Sequence, residues 1–213
     1  MLITALEKRK GEGYALFVEG EYALTLNQET LVIEGLRAGQ EITPERLTDL
    51  RRKADLRRAR EHALYLLEKR SYSREELIRK LSRTASLEAA HAVADRMEEL
   101  GLIDDDAYAR LLADHLWRYK GYGEGRIRQE MARRGLDRER IGRELERLRE
   151  ENPPDDVAEK LCAIISRKYA RYLNDEKGIN KTVQALLRLG YSYEDIRRAL
   201  RHVRDREEDN YAD

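Results

Sequence analysis

A single cysteine, Cys162, leaves no disulfide possible within the chain and no thiolate metal cluster. It lies in the apolar run Leu161-Cys162-Ala163-Ile164-Ile165, where it reads as a small buried hydrophobe. Prolines are only three, Pro44 and the pair Pro153-Pro154, so long stretches contain nothing that forbids a helix. Phe and Trp occur once each, against 12 Tyr. Tyr suits thin cores near a surface, because its ring packs while its hydroxyl stays wet, and it can also stack on a nucleobase. No apolar run approaches the roughly 18 residues of a membrane span, and the N-terminus lacks a charged-then-apolar leader pattern. A soluble, cytoplasmic protein is expected.

Catalytic signatures are also missing. There is no G-x-x-x-x-G-K-[ST] phosphate loop and no G-x-S-x-G elbow. His62, His91, His115 and His202 have no metal-ligand spacing to one another. The expectation is a non-enzyme, with no cofactor and no metal.

What is present is charge. The chain is 41% apolar and 39% charged, where a single globular core ordinarily carries about 25% charge. Such a balance suits long solvated helix faces. Lys plus Arg equals Asp plus Glu at 42 each, but the distribution is uneven. Residues 1–50 are acidic, 51–150 mildly basic, 160–204 strongly basic and the tail from Arg206 acidic. A protein living by duplex affinity alone would more often be basic throughout. Local basic stretches beside acidic ones fit a partner that mixes protein and nucleic acid.

Residues 1–42 read as a small β-containing extension. Tyr14–Val18 and Tyr22–Leu26 flank a Gly-containing turn and predict a β-hairpin. Leu2–Leu6 supplies a possible third strand. Leu31–Gly39 reads as a short helix ended by Gly, with Leu36 facing in. Thr43-Pro44 then opens a helix as N-cap and first helical residue. It links over 43–60 to the rest, with a bend or break plausible near Lys53, where charge is dense.

The remainder repeats. Ala63, Leu66, Tyr72, Leu77 and Leu81 recur fifty residues later as Ala113, Leu116, Tyr122, Ile127 and Met131. Val93, Met97 and Leu100 recur as Ile141, Leu145 and Leu148 after a two-residue shift. Met131, Gly135, Ile141, Leu145 and Leu148 recur in turn as Leu186, Gly190, Ile196, Leu200 and Val203. Three-helix units are expected at 61–105, 106–150 and 155–205, followed by a solvated acidic tail at 206–213. Each third helix carries a narrow apolar stripe that needs neighbouring helices to bury it. The fold class is therefore mainly α: an extended array of three tandem three-helix repeats with a small β-hairpin-containing N-terminal cap.

Within the repeats, Asp104-Asp105-Asp106 follows the helix-ending Gly101 and reads as an N-cap cluster rather than a metal site. Gly121-Tyr122-Gly123-Glu124-Gly125 follows no strand, so it reads as a turn, though its N–H groups could meet a phosphate or carboxylate. Tyr72 and Tyr122 hold equivalent places, which favours a shared packing role. The basic clusters carry the binding expectation. They are Arg79, Lys80 and Arg83 in the first unit, with Arg70 and Arg74 just ahead of them. The second unit has Arg126, Arg128, Arg133 and Arg134, with Lys120 ahead, and the third has Lys177, Lys181 and Arg188. Arg meets carboxylate and phosphate in a two-pronged way. The competing reading is that Glu75, Glu76, Glu124 and Glu130 neutralise these cations along the helices.

Four stretches carry a resemblance to a known family: Arg70–Leu81 (RSYSREELIRKL), Leu100–Ala109 (LGLIDDDAYA), Lys120–Glu130 (KGYGEGRIRQE) running on to Arg133-Arg134-Gly135-Leu136, and Leu186–Ile196 (LLRLGYSYEDI). In this order, on a three-fold helical repeat, they resemble the RecX family, and the N-terminal part resembles the hairpin-bearing extension of some members. Departures are Leu189 where a basic residue is frequent, no proline near Tyr122, and Met131-Ala132 in place of a leucine pair. The resemblance implies a monomeric regulator of the RecA recombinase, acting in DNA repair, homologous recombination and the SOS response. It would lie in the groove of the RecA filament on single-stranded DNA and alter, usually by inhibition, ATP hydrolysis, strand exchange and repressor-cleavage stimulation. Two other readings stay open: a direct nucleic-acid-binding helical module, and a helical scaffold for another protein.

Overall fold

The structure, a computed structural model, describes residues 1–9, 11, 13–173 and 175–212, those from Glu207 on by backbone alone. The chain divides into two units: Met1–Tyr72 with Glu76–Ile103, and Ser73–Glu75 with Asp104–Asp213.

The first unit opens with an antiparallel meander of β1 (Ile3–Lys8), β2 (Gly13–Val18) and β3 (Glu21–Asn27). The predicted hairpin is present. Its turn residues Glu19 and Gly20 both have positive φ, at 53° and 84°, the twist that suits a two-residue connection between antiparallel strands. One sheet face buries Ile3, Leu16, Val18, Leu24 and Leu26. The backbone of residues 39–42 runs along the outer edge of β1, with Ile3 N–H donating to Gln40 O at 2.9 Å and Gly39 N–H to Ile3 O at 2.8 Å. An unpaired edge is thereby covered.

Helix α1 (Gln28–Ile33) is displaced from the expected Leu31–Gly39. Asn27 caps it by accepting from Thr30 N–H, which starts the helix early, and Gly35, at φ 62°, ends it early. Leu36 is nonetheless buried, as expected. Helix α2 (Pro44–Lys69) begins at the Thr43 cap and runs unbroken through Lys53. The expected weak point is bridged by ion pairs: Lys53 to Asp49 at 2.9 Å and to Glu34 at 2.7 Å, with Arg46 also on Glu34. Its first half buries Leu47 and Leu50 under the sheet. Its second half buries Ala59 and Ala63 against α3 (Arg74–Leu81) and α4 (Leu87–Glu99), in a core with Tyr72, Leu77, Leu81, Val93 and Met97. The sheet therefore has no core of its own apart from α2.

The second unit is helical throughout its described residues. It contains α5 (Asp105–Arg118), α6 (Glu124–Arg133) and α7 (Arg138–Glu151), then α8 (Pro154–Lys168), α9 (Glu176–Arg188) and α10 (Tyr193–Ala212). The repeat positions become the core. Ala113, Leu116, Ile127, Met131, Ile141, Leu145 and Leu148 form one cluster. Leu161, Cys162, Ile165, Leu186, Ile196 and Val203 form the next, with Leu200 at its margin. Leu100 is the exception. As C-cap of α4 it is 47% exposed, because the chain turns at Gly101, and Ile103 fills the core instead. Cys162 is buried with its thiol on Ala199 O at 3.4 Å, and burial pushes its pKa up. The segment expected as a separate acidic tail continues α10 to Ala212. Its side chains from Glu207 and the whole of Asp213 lie outside the described residues, as does the expectation that they are solvated.

Polar residues place the helix starts. Ser86, Asp104, Asp137 and Asp175 each accept an N–H of the following first turn. α4, α6 and α9 end alike, the residue after the closing glycine donating back five residues: Leu102 to Met97 O, Leu136 to Met131 O and Tyr191 to Leu186 O.

Candidate partner-binding surface

The candidate cations fall into two groups. On α6 the arginines are engaged. Arg126 and Arg133 pair with Glu130 at 2.9 and 2.7 Å, and Arg128 pairs with Glu124 at 2.9 Å. The Arg133 guanidinium, donating to Glu130, holds that carboxyl below its usual range against the opposing effect of partial burial. Arg134 donates to the Tyr108 hydroxyl at 3.3 Å. In the first unit Arg70 pairs with Glu76 at 2.8 Å and stacks on Tyr72, its guanidinium carbon 3.6 Å from the ring centroid. Arg74 opens α3 with its N–H on the Asp105 carboxylate at 2.8 Å, and Arg79, an exposed residue, is also engaged. The neutralising reading thus describes Arg70, Arg126, Arg128 and Arg133, the last three by helical spacing.

The second group has no ion pair among the described residues: Lys80 and Arg83 in the first unit, Lys120 and the α9 residues Lys177, Lys181 and Arg188 in the second. Lys177, Lys181 and Arg188 share one open face of α9 with Glu176, Asn180 and Gln184.

The acidic cluster is divided among three tasks. Asp104 caps α5, accepting from Asp106 and Ala107 N–H at 3.0 and 2.9 Å. Asp105 takes the Arg74 N–H. Asp106 pairs with Arg140 at 3.1 Å and Arg143 at 2.6 Å. Across α5 and α7, Arg147 meets Asp114 at 2.9 Å and Glu144 and Glu151 at 2.8 Å each. Desolvation works against its charge, but the three carboxylates outweigh it and hold its pKa above the ordinary value.

The glycine-rich turn is occupied by the chain itself. Gly123 N–H donates to Leu189 O at 2.8 Å and Gly125 N–H to Gly190 O at 3.0 Å, so these two amides are not free for a phosphate. The Tyr191 hydroxyl closes the contact on Gly121 O at 3.1 Å. The turn is the seam between the second and third repeats. Tyr122 is half-buried against the second-repeat core and Tyr72 is buried in the first, so both pack as their equivalence suggested.

Trp117 belongs to the same seam. It touches both core clusters of the unit, and its indole N–H donates to Asn152 Oδ1 at 3.0 Å. Lys160 Nζ lies 3.1 Å from its ring centroid and donates to its carbonyl at 2.6 Å. Burial pushes the Lys160 pKa down to about 8. Trp117 is the sole tryptophan, so its emission reports this proton. Emission should titrate with a midpoint near 8 and lose that step in Lys160→Met; a midpoint near the ordinary lysine value of about 10.4 would refute the assignment. Between those two values the unfolded chain holds the proton and the folded chain has released it, so stability should rise with pH across that window.

Fold and surface together define a mainly helical protein of three-helix repeats with a small N-terminal sheet, whose Asp104–Asp106 cluster caps a helix, accepts an amide and pairs with arginines. No helix among the described residues is long and apolar enough to cross a membrane. The family model for the RecX second three-helix domain matches residues 104–145, and that for the RecX third three-helix domain matches residues 155–200. The regulatory protein RecX of Caldanaerobacter subterraneus subsp. tengcongensis is 30% identical over 202 residues, covering 94% of this chain and 98% of that protein. RecX of Clostridium beijerinckii is 29% identical, covering 93% and 92%. A crystal structure of regulatory protein RecX aligns at TM-score 0.64 and 21% identity over 93% of this chain and 98% of that one. RecX from Lactobacillus salivarius aligns at 0.60 and 22% identity over 70% and 96%. The chain belongs to the RecX family of regulatory proteins.

Proposed function

We propose that this chain binds the RecA filament on single-stranded DNA and restrains its ATPase, strand-exchange and repressor-cleavage activities, acting as a cytoplasmic monomer without turnover of its own. The observation that carries this reading is the likeness to RecX proteins over nearly the whole of both chains. The cations without an ion pair supply the chemistry. Lys80, Arg83, Lys120, Lys177, Lys181 and Arg188 can meet protomer carboxylates or DNA phosphates without first breaking a pair. Arg70, Arg74, Arg79, Arg126, Arg128, Arg133 and Arg134 would act by exchanging partners, at lower net gain because each contact made replaces one lost. Binding that favours less active filament states shifts the population by its differential affinity for them.

The test is ATP hydrolysis by RecA on single-stranded DNA, with this protein added well below one copy per RecA. A clear fall is expected. The triple variant Lys177→Glu, Lys181→Glu, Arg188→Glu should need about tenfold more protein for the same effect. Undiminished hydrolysis at several-fold excess, with no co-sedimentation on filaments, would overturn the proposal.

A further inference from the structure

A second basic surface lies where the chain leaving α5 meets the last turns of α8, beside the C-cap of α9. Arg118 occupies the last turn of α5, and Arg167 and Lys168 that of α8. With Lys120, and with Lys160 whose ammonium is seated on Trp117, they line one open groove of about 300 Å³. Its floor is aliphatic, from Ala163, Ile164 and Leu189, and Tyr119 stands beside the cations with 80% of its surface exposed. Among the described residues no Asp or Glu lines the groove. None of the five cations has an ion pair among the described residues.

That pattern is not the default of this chain. Almost every basic stretch elsewhere is interleaved with acids, and α6 shows the consequence in paired arginines. Two carboxylates near the groove in sequence are drawn away. Asp114, one helical turn before Arg118, is held by Arg147 at 2.9 Å. Glu124, four residues past Lys120, is held by Arg128 at 2.9 Å and Arg149 at 2.5 Å. Cations at helix C-termini are favoured by the helix dipole, which accounts for Arg118, Arg167 and Lys168 singly. It does not require that two helix ends share a groove with two further lysines and no counter-charge. Gathering five cations costs repulsion that a polyanion would relieve.

We propose that this groove binds the phosphodiester backbone of a single nucleic-acid strand, with Tyr119 stacking on an unpaired base. Cations tracking a backbone beside an exposed aromatic ring are the two elements single-strand binding uses. A paired base is hidden in its stack, so the exposed ring selects a single strand over a duplex. This deepens the filament reading, in which single-stranded DNA is the strand at hand, but it is tested without RecA.

The experiment is fluorescence anisotropy of a labelled oligothymidylate strand with the full chain across a salt series. The wild type should bind with an affinity that falls steeply as salt rises. In Arg167→Ala/Lys168→Ala the slope of log affinity against log salt should shrink by about 0.7 for each cation removed. Tyr119→Ala should bind on the order of tenfold more weakly, and Tyr119→Phe should restore binding. Arg60→Ala/Arg110→Ala removes two exposed arginines elsewhere and serves as the matched charge loss; thermal melts confirm that each variant folds. If the groove variant changes slope and affinity no more than that control, the site is overturned. Equal binding of a duplex, or of inorganic polyphosphate, with no effect of Tyr119→Ala would overturn the single-strand assignment. Suppression of RecA that survives in the groove variants, with strand binding lost, would leave the filament reading standing; strand binding without suppression of RecA would leave the groove standing alone.

Discussion

Gly190→Ala should lower the melting temperature of the protein by roughly 10 °C, the equivalent of about 3 kcal/mol in a chain of this size. Two costs add. Gly190 has φ +90°, where a side chain strains the backbone. A Cβ there would also stand 2.2 Å from the Arg126 nitrogen and 2.9 Å from its Cα, which are backbone atoms of α6 and cannot turn aside. The partner position behaves alike: a Cβ on Gly123 would sit 2.5 Å from the Gly190 carbonyl carbon and oxygen and from Tyr191 N. Gly123→Ala should therefore cost a similar amount, about 2–4 kcal/mol. The two substitutions together should cost less than their sum, since either one already opens the seam. Gly142→Ala is the contrast. Gly142 lies inside α7, and a methyl group there would meet nothing within 4 Å, so alanine should stabilise by about 0.5–1 kcal/mol. A Gly190→Ala protein that melts with the wild type would mean the seam is not closed in solution.

Trp117→Ala should cost about 3 kcal/mol, near the low end for losing a large aromatic because the ring is only partly buried. The indole touches both cores of the second unit, supports Asn152 and carries the Lys160 ammonium on its face. Trp117→Phe keeps much of the apolar contact but leaves Asn152 Oδ1 without its donor, so about 1–2 kcal/mol is expected. Chemical denaturation followed by circular dichroism distinguishes the two. A Trp117→Ala protein as stable as Trp117→Phe would show that hydrogen bonding, not packing, sets the ring's contribution.

Much of the fold is legible along the chain because its causes are local. The spacing of Leu77 and Leu81, of Ile127 and Met131, and of Ile141, Leu145 and Leu148 is the spacing of one helix face. Asp104 and Thr43 announce helix starts, and Glu19-Gly20 announces a hairpin, through bonds that span no more than a few residues. Where neighbouring signals compete, local reading slips. Asn27 starts α1 ahead of the apolar pattern, Gly101 turns Leu100 out of the core, and ion pairs from Glu34 and Asp49 carry α2 through its charged middle.

The binding surface is less legible, for a physical reason. Whether a cation is free depends on which carboxylate reaches it, and reach is set by packing between elements rather than by spacing within one. Arg118 has Asp114 one turn away yet loses it to Arg147, thirty-three residues on from that aspartate. Of the groove cations only Lys120 stands out by its place in the repeat; Arg118, Lys160, Arg167 and Lys168 lie on the first helices of their repeats, away from the basic middle helices. The one signal available along the chain is that Arg167 and Lys168 have no acid three or four residues to either side. The glycine turn shows the same division. Residue order alone suffices to show that Gly121–Gly125 is a turn, that three units of three helices follow one another, and to which family the residues point. That this turn docks on Gly190, that arginines of α6 are paired, and that three cations from two helix ends share a groove with two further lysines and, among the described residues, no counter-charge are outcomes of packing in three dimensions, because they depend on contacts between residues far apart in the chain.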